Sequence, residues 1–376
     1  MRPFSNVAPF TLATVLAVCL PCVSSAQTKL DIRAPELGAV RWQRDFPAAL
    51  EASKESGKPV FLLFQEIPGC LTCQNFGHNV LSHPLLVDAI ENEFIPMVAY
   101  NNKPGVDSKI LIRYKEPSGN NPVVRYVDGA GVDLIERKQF IWTAVGIAPR
   151  MIASLEAAKR PVPNYLKAAV AEADTKFHRK IWFAMHCYYE GEAKLGSLDG
   201  VIRTQAGTYK NFEVVEVIYD RREVSVEQLA DKAKELDCTQ AVFTASESEV
   251  KDIAKILGDG KASVIGGFVR AAADSEQKVS LYRSPYGSLP LTPMQATKVN
   301  AALRLKGDPK AWMSPQQVRL LARVEQAWPR ARKDLESPRP PTDPYDLLEY
   351  RQMLDLTLDM LLGEVSSQPD ARAIKP

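Results

Sequence analysis

Two cysteines separated by two residues, Cys70 and Cys73, are the residues of this sequence best suited to chemistry. A thiol at the start of a helix is favoured as the thiolate, because unpaired backbone N–H groups and the helix dipole stabilise its negative charge. A second thiol one turn further along can attack the resulting mixed disulfide and release it. The spacing therefore predicts thiol–disulfide exchange, with Cys70 and Cys73 as the catalytic pair.

Two other interpretations of this pair stay open. The cysteines could form a purely structural disulfide, or they could supply half of a zinc site. His78 and His83 follow the pair, but without the long spacer that separates the ligand pairs of common zinc sites. The four histidines of the chain show no ligand spacing, so we expect no metal and no other cofactor.

Cys187 is the second candidate nucleophile. It follows an apolar stretch at 180–185 that is typical of a short strand, and a segment with helical character comes next. A thiol at such a junction can act as a nucleophile, and Glu213, in the following strand-like segment, could serve as a general acid in a buried site. From spacing alone, a buried and unreactive cysteine is the more ordinary interpretation of Cys187.

The elements around Cys70 follow an α/β pattern. The continuous apolar run at 60–64 predicts a strand buried on both faces, with further strands at 94–99 and 121–127. A turn precedes Cys70, so the cysteine pair falls at the start of a helix, and another helix is predicted at 147–159. This order predicts an α/β sandwich with a mixed sheet.

Prolines at Pro161 and Pro163 mark a domain boundary. The second half shows an alternating strand at 212–219 between segments of helical periodicity, and a helical tail that is broken near Ser337. The predicted division is a signal peptide at 1–26, a first domain at 27–160, a second domain at 161–310 and a helical tail at 311–376.

The N-terminal segment has the pattern of a secretory signal. Arg2 gives a basic start, the apolar run at 10–20 is too short to span a bilayer, and small residues lead to Ala26. We expect cleavage there, which would remove Cys19 and Cys22, export the chain to the periplasm or beyond, and leave no stable membrane span. An uncleaved membrane anchor is the alternative.

Composition narrows the possible functions. With 376 residues, 45% of them hydrophobic and 24% charged, the chain has ordinary globular composition. A net charge of +2 gives no basis for binding nucleic acid or an anionic membrane surface. Four cysteines would remain after signal cleavage, and so few in a long chain favour chemistry over disulfide scaffolding.

The stretch from Trp42 to Cys73 resembles the exported thioredoxin-like proteins, and the resemblance covers about 38–160. Residues 67–73 resemble the Val-Pro-Gly-selenocysteine-x-x-Thr motif of one such (seleno)protein type, with Cys70 in the selenocysteine position and Cys73 in place of the threonine. The resemblance implies that Cys70 attacks and that Cys73 resolves. It also implies that Pro122 is a cis-proline beside the pair, where the neighbouring backbone docks the substrate chain.

The stretch 183–192 resembles the Gly-Cys-Phe-Trp-Gly-x-Glu motif of A-type peptide methionine sulfoxide reductases, and matching segments continue to about residue 245. This resemblance implies an α+β, ferredoxin-like second domain. The sequence departs from the family at His186, where a glycine is usual, and at Thr208, where a tyrosine helps to bind the sulfoxide oxygen, although Tyr209 is adjacent. A later loop of the family is shortened around Asp237.

The second resemblance also implies roles for individual residues. Cys187 would attack the sulfoxide sulfur, and Glu213 would donate a proton. Tyr188 and Tyr189 would hold the methyl group of the substrate. Cys238, or Cys70 from the first domain, would then condense with the oxidised Cys187.

Together these features predict an exported redox enzyme that combines a thioredoxin-like domain with a reductase-like domain. Its partners would be proteins that carry thiols, disulfides or methionine sulfoxide, together with an unidentified electron donor. A second hypothesis keeps thiol–disulfide exchange but makes the second domain a non-catalytic module that binds client proteins. A third is a structural envelope protein with one disulfide.

Overall fold

The structure is a computed structural model that describes residues 34–119, 121–337 and 339–363. The predicted signal peptide lies outside these residues, so its cleavage and the export of the chain stay predictions. Within the described ranges, no helix is both long and apolar enough to cross a membrane.

A three-stranded mixed sheet forms the centre of the first part of the chain. Its strands are β1 (Val60–Gln65), β2 (Ile95–Tyr100) and β3 (Val123–Val127). They lie in the order β2-β1-β3, with β2 parallel and β3 antiparallel to β1. All residues of β1 are buried, as its continuous apolar run predicts.

Six helices accompany this sheet. They are α1 (Phe46–Ser56), α2 (Leu71–Asn79), α3 (Pro84–Glu93), α4 (Val106–Tyr114), α5 (Ala144–Ala157) and α6 (Asn164–Ala173). Helix α1 shows why such segments begin and end where they do. The Asp45 side chain accepts a hydrogen bond from the Ala48 amide at its start, and Gly57 ends it in the left-handed conformation at φ 68°. The α/β arrangement with a mixed sheet confirms the prediction.

Helix α6 packs on the first core, although it follows the predicted boundary at residue 160. Its residues Tyr165 and Leu166 lie in the same buried cluster as Phe61 of β1. Ile202 and Met294, from later in the chain, join that cluster too. The predicted division into domains stays a prediction, but the two parts share apolar contacts.

A six-stranded sheet forms the centre of the second part. Its strands are β4 (His178–Met185), β5 (Val201–Tyr209), β6 (Phe212–Asp220), β7 (Ala241–Thr244), β8 (Ala262–Val264) and β9 (Arg270–Ala271), in the order β8-β7-β4-β6-β5-β9. The helices are α7 (Tyr188–Gly196), α8 (Val226–Glu235), α9 (Glu247–Leu257), α10 (Val279–Tyr282), α11 (Pro293–Leu305), α12 (Pro315–Leu335) and α13 (Pro344–Leu362). All strand pairs except β7–β8 are antiparallel, which is an α+β arrangement.

The faces of this second sheet carry different apolar clusters. Along β6, Val215, Val217 and Tyr219 face one cluster, as the alternating sequence predicts. Val214 of β6 lies in a second cluster, which also contains Tyr209. Since successive side chains of a strand point to opposite faces, the two clusters lie on the two sides of the sheet.

The helical tail docks on the first part of the chain. The hydroxyl of Tyr345 in α13 donates to the carbonyl of Asn79, and its ring stacks on His78 of α2 at 5.3 Å. The side chains of Ser314 and Arg351, from the tail, both hydrogen-bond to Asp88 of α3. The predicted break between the two tail helices falls between α12 and α13.

Candidate redox sites

Cys70 caps the N-terminus of α2, where sequence reasoning places it. Its backbone is extended (φ −71°, ψ 171°) and the helix starts at the next residue. Its side chain is exposed, whereas Cys73, one turn further along, is buried. The two Sγ atoms lie 3.6 Å apart. The structure therefore brings an accessible thiol and a protected thiol together at one helix start.

The pKa values of the two thiols are shifted in opposite directions. The backbone N–H of Cys73, in the first turn of α2, lowers the pKa of the Cys70 thiol, and partial desolvation acts against it. Burial, and then the hydrogen bond with Cys70, raise the pKa of Cys73 to about 12. Cys70 is thus the thiol that ionises first, and Cys73 keeps its proton at pH values at which Cys70 is a thiolate.

The predicted cis-proline lies beside this pair. The Asn121–Pro122 bond is cis, and the Asn121 Oδ1 atom accepts a hydrogen bond from the Cys73 thiol at 2.6 Å. The carbonyl of Pro122 is occupied by the indole N–H of Trp142 at 3.1 Å. A docking role for this segment stays a prediction, but Asn121 directly contacts the Cys73 thiol.

Two buried polar side chains, those of Glu36 and Gln65, hydrogen-bond to the backbone around Cys70. The Glu36 Oε1 atom accepts the amide of Gly69 at 2.7 Å, and Gln65 Nε2 donates to the carbonyls of Glu36 and Cys73. Gly69 itself has no room for a side chain, because a Cβ there would lie 2.3 Å from the carbonyl oxygen of Glu66. Sequence reasoning missed Glu36, which falls in a segment without periodicity.

The lowered pKa of Cys70 predicts how alkylation of the reduced chain depends on pH. We expect Cys70 to react with iodoacetamide at a lower pH than an ordinary cysteine, because its thiolate forms earlier. Cys238, whose pKa burial raises to about 11, should stay unmodified over the same range. Mass spectrometry of peptides after short reactions at stepped pH measures both. Equal pH midpoints for the two cysteines would contradict the assignment.

Cys187 also caps a helix, since α7 begins at the next residue. It is half-buried and follows β4, as predicted. The pairing of β4 with β6 places Met185 opposite Glu213. The Glu213 Oε2 atom accepts the backbone amide of Tyr188 at 2.9 Å, so its carboxylate lies at the start of the helix that Cys187 caps.

In the stretch 183–192, the two tyrosines lie beside Cys187, whereas Glu192 contacts a later part of the chain. The rings of Tyr188 and Tyr189 meet edge to face at 4.8 Å beside Cys187. Glu192 instead forms a buried ion pair with Lys278, accepting from its backbone amide at 2.6 Å and from its Nζ at 3.3 Å. Tyr188 is buried in the core of the second part and Tyr189 is half-buried against it, so their role in substrate binding stays a prediction. Glu192 holds α7 to the later chain.

Tyr209, the neighbour of Thr208, lies away from the Cys187 site. Thr208 is paired with Glu213 across β5 and β6. Tyr209 points to the opposite face of the sheet, where its hydroxyl accepts the Gly266 amide and its ring contacts Phe243. The neighbouring tyrosine therefore does not supply the missing hydrogen bond to a sulfoxide.

Cys238 lies in the core as a separate thiol. Its Sγ hydrogen-bonds to the Leu236 carbonyl at 3.5 Å, and burial raises its pKa to about 11. Both Cys187 and Cys238 are free thiols in the structure. Resolution of an oxidised Cys187 by Cys238 stays a prediction, and it requires Cys238 to leave this environment.

The structure does not place Cys187 next to the first core. Ile218 of β6 packs against the first apolar core, while Glu213 lies five residues away towards the Cys187 end of the sheet. Five residues of a strand span about 17 Å. Direct exchange between Cys70 and Cys187 of one molecule stays a prediction.

Residues 41–129 match a family model described as thioredoxin-like. A search of the curated proteins gave no match. Among solved structures, methionine sulfoxide reductase A of Corynebacterium diphtheriae is similar at 21% identity and TM-score 0.24, over 29% of this chain and 76% of that one. A DsbH oxidoreductase is similar at 20% identity and TM-score 0.27, over 34% of this chain and 90% of that one. The chain thus contains a thioredoxin-like domain with Cys70 and Cys73 inside it.

Proposed function

We propose that this chain is an exported thiol–disulfide oxidoreductase that acts on cysteines of protein substrates. One observation carries the proposal. Cys70 is an exposed helix-capping thiol with a lowered pKa, 3.6 Å from a buried Cys73 with a raised pKa. The resemblance to the Val-Pro-Gly-selenocysteine-x-x-Thr proteins supports the same division of roles, because Cys70 stands in the selenocysteine position.

The reaction follows from the geometry. The Cys70 thiolate attacks one sulfur of a substrate disulfide, the S–S bond breaks, and the leaving sulfur takes a proton from solvent. Cys73 then loses its proton and attacks the Sγ of Cys70, which releases the second substrate thiol. Two electrons have passed to the substrate and Cys70–Cys73 has become a disulfide, which an external thiol donor reduces again.

Little movement is needed for the second step. A disulfide bond is about 2.0 Å long, so the two sulfur atoms must approach by about 1.6 Å from their 3.6 Å separation. Cys73 must also give up its hydrogen bond to Asn121. A side-chain rotation at the helix start achieves both, and the backbone of α2 can stay in place.

The surface around the pair favours a polypeptide over a small thiol as substrate. Leu71, directly after Cys70, is 70% exposed, and Phe140 is 63% exposed. The Phe140 ring packs on Trp142, which hydrogen-bonds to Pro122 beside the pair. Apolar side chains of this kind can hold an extended segment of a substrate protein against the reactive sulfur.

A redox titration tests the proposal. The full chain is equilibrated with glutathione buffers of stepped potential, and the state of each cysteine is measured by mass after alkylation. We expect Cys70 and Cys73 to convert together from dithiol to disulfide within the range of the buffers. A potential below about −300 mV would instead indicate a structural disulfide and would contradict the proposed function.

A second candidate function, reduction of peptide methionine sulfoxide, has one specific observation in its favour. The Glu213 carboxylate lies at the helix start that Cys187 caps, beside the aromatic pair Tyr188 and Tyr189. A thiol, a potential proton donor and an apolar surface for a methyl group are thus together. Against it, Tyr209 points away from this site. We infer a weak activity at most, since lost sulfoxide hydrogen bonds cost roughly 10² to 10³ in rate.

This second candidate predicts a defined pattern among variants. If the site turns over, Cys187→Ser should abolish reduction of a methionine sulfoxide peptide by dithiothreitol. Glu213→Gln should lower the rate by roughly 10²-fold, because general acid catalysis contributes about that much. Peptide mass spectrometry measures both. Turnover by the Cys187→Ser chain would rule the candidate out, and a client-binding role for the second part would then be preferred.

A further inference from the structure

A carboxylate completes a group of metal-binding side chains at the redox pair. Glu66 lies in the loop before Cys70, and one of its oxygens and the two thiol sulfurs all lie within 4.8 Å of one another. Among the described residues, this is the one group of three such side chains close enough to share an ion. Zinc motifs are recognised in a sequence by paired cysteines and histidines, so this carboxylate leaves no signal there.

The distance between the sulfurs matches tetrahedral coordination of zinc. Two thiolates bound to Zn²⁺ at about 2.3 Å and at the tetrahedral angle have their sulfurs about 3.8 Å apart. The Cys70 and Cys73 sulfurs are 3.6 Å apart before any ion is present. The thiols are therefore already spaced for bidentate binding.

The site is open to solvent on the side of Cys70, so a further ligand can bind there. Cys73 is buried beneath the site, Glu66 is half-buried at its side, and Cys70 is exposed above it. A Zn–O bond is about 2.1 Å long, and a Glu66 carboxylate oxygen lies within 4.8 Å of both sulfurs. The exposed side supplies the fourth ligand from solvent, as in zinc sites that keep one position open.

We propose that the reduced chain binds one zinc ion through Cys70 Sγ, Cys73 Sγ and a Glu66 carboxylate oxygen, with water as the fourth ligand. Binding breaks the two S–H bonds, forms two S–Zn bonds and releases two protons to solvent, and no electrons are transferred. A disulfide has no thiolate to offer. Zinc binding and disulfide formation therefore exclude each other, and zinc protects the dithiol from oxidation.

The test uses the full reduced chain under anaerobic conditions, with Cys19, Cys22, Cys187 and Cys238 replaced by serine so that Cys70 and Cys73 are the two cysteines that remain. Cd²⁺ is titrated first, because its thiolate charge-transfer absorption reports sulfur coordination, and Zn²⁺ then competes for the site. We expect one ion per chain and no binding after oxidation of the pair. Cys70→Ser and Cys73→Ser should each weaken binding on the order of 100-fold or more.

The carboxylate has its own matched pair of variants. Glu66→Gln should weaken binding on the order of tenfold, because a neutral amide replaces a charged ligand. Glu235→Gln, the same change at an exposed site on α8, should leave it unchanged. Equal affinity of these two variants, or binding by the oxidised chain, would overturn the proposal. Circular dichroism of each variant establishes that it is folded, and the metal-free glutathione titration tests the proposed exchange separately.

Discussion

Replacing Cys70 with serine is expected to lower the rate of disulfide reduction by roughly 10³-fold or more, because only a thiolate attacks a disulfide at a useful rate. Replacing Cys73 with serine is expected to have a different result. Cys70 still attacks, but the mixed disulfide with the substrate is not resolved, and the substrate stays covalently attached. The difference follows from the exposed, more acidic Cys70 and the buried, less acidic Cys73.

The measurement is reduction of a chromogenic aryl disulfide by each reduced variant in single turnover, followed by intact-mass analysis. The Cys70→Ser/Cys73→Ser double variant gives the background rate from the remaining thiols. The Cys73→Ser chain should gain the mass of one aryl thiol per molecule at Cys70. A trapped adduct at Cys73 in the Cys70→Ser chain, at a rate close to wild type, would contradict the assigned order of attack.

The local elements around this pair could be predicted because they depend on short-range patterns. The continuous apolar run of β1 and the turn before α2 placed Cys70 at a helix start, which the structure confirms. The cis bond before Pro122 was implied by the family resemblance and is present. The buried strand and the helix start can be predicted from neighbouring residues alone, because each has a characteristic local sequence pattern.

The residues that contact the pair and its loop from distant parts of the chain could not be predicted in the same way. Glu36 reaches Gly69 across 33 positions, and Asn121 reaches Cys73 across 48. Neither residue belongs to a periodic pattern, and hydrogen bonds between distant segments have no signature in a single sequence. Asn121 could have been suspected from its position before Pro122, but no feature of the sequence marks Glu36.

At the second site, the sequence predicted which residues lie close together but not the direction in which one side chain points. The match to a family motif placed Glu213 near Cys187, and the register of β4 and β6 brings its carboxylate to the start of α7. The same match left open whether Tyr209 could replace the missing tyrosine. Strand alternation decides this, because Thr208 and Tyr209 must point to opposite faces. Which face each takes depends on strand pairing across the sheet, and sequence spacing alone did not fix it.

The largest expected effect on stability comes from Asp88, a buried residue of α3 that joins the tail to the first part of the chain. Its carboxylate accepts from Arg351 Nη1 at 2.8 Å and from the hydroxyl of Ser314, which caps α12. We expect Asp88→Ala to lower the free energy of unfolding by about 3–5 kcal/mol, because it removes the carboxylate that pairs directly with the nearly buried Arg351 guanidinium.

A double variant distinguishes the stability lost with the ion pair from the stability lost with side-chain packing. The double variant Asp88→Ala/Arg351→Met should recover part of the lost stability, since removing both members of a buried ion pair costs less than removing one. Glu51→Ala is the matched control, because its partner Lys54 lies in an exposed ion pair on α1 and the change should stay within about 0.5 kcal/mol. Urea unfolding followed by circular dichroism measures all three. If Asp88→Ala costs no more than Glu51→Ala, the ion pair between Asp88 and Arg351 does not stabilise the docking of the tail on α3.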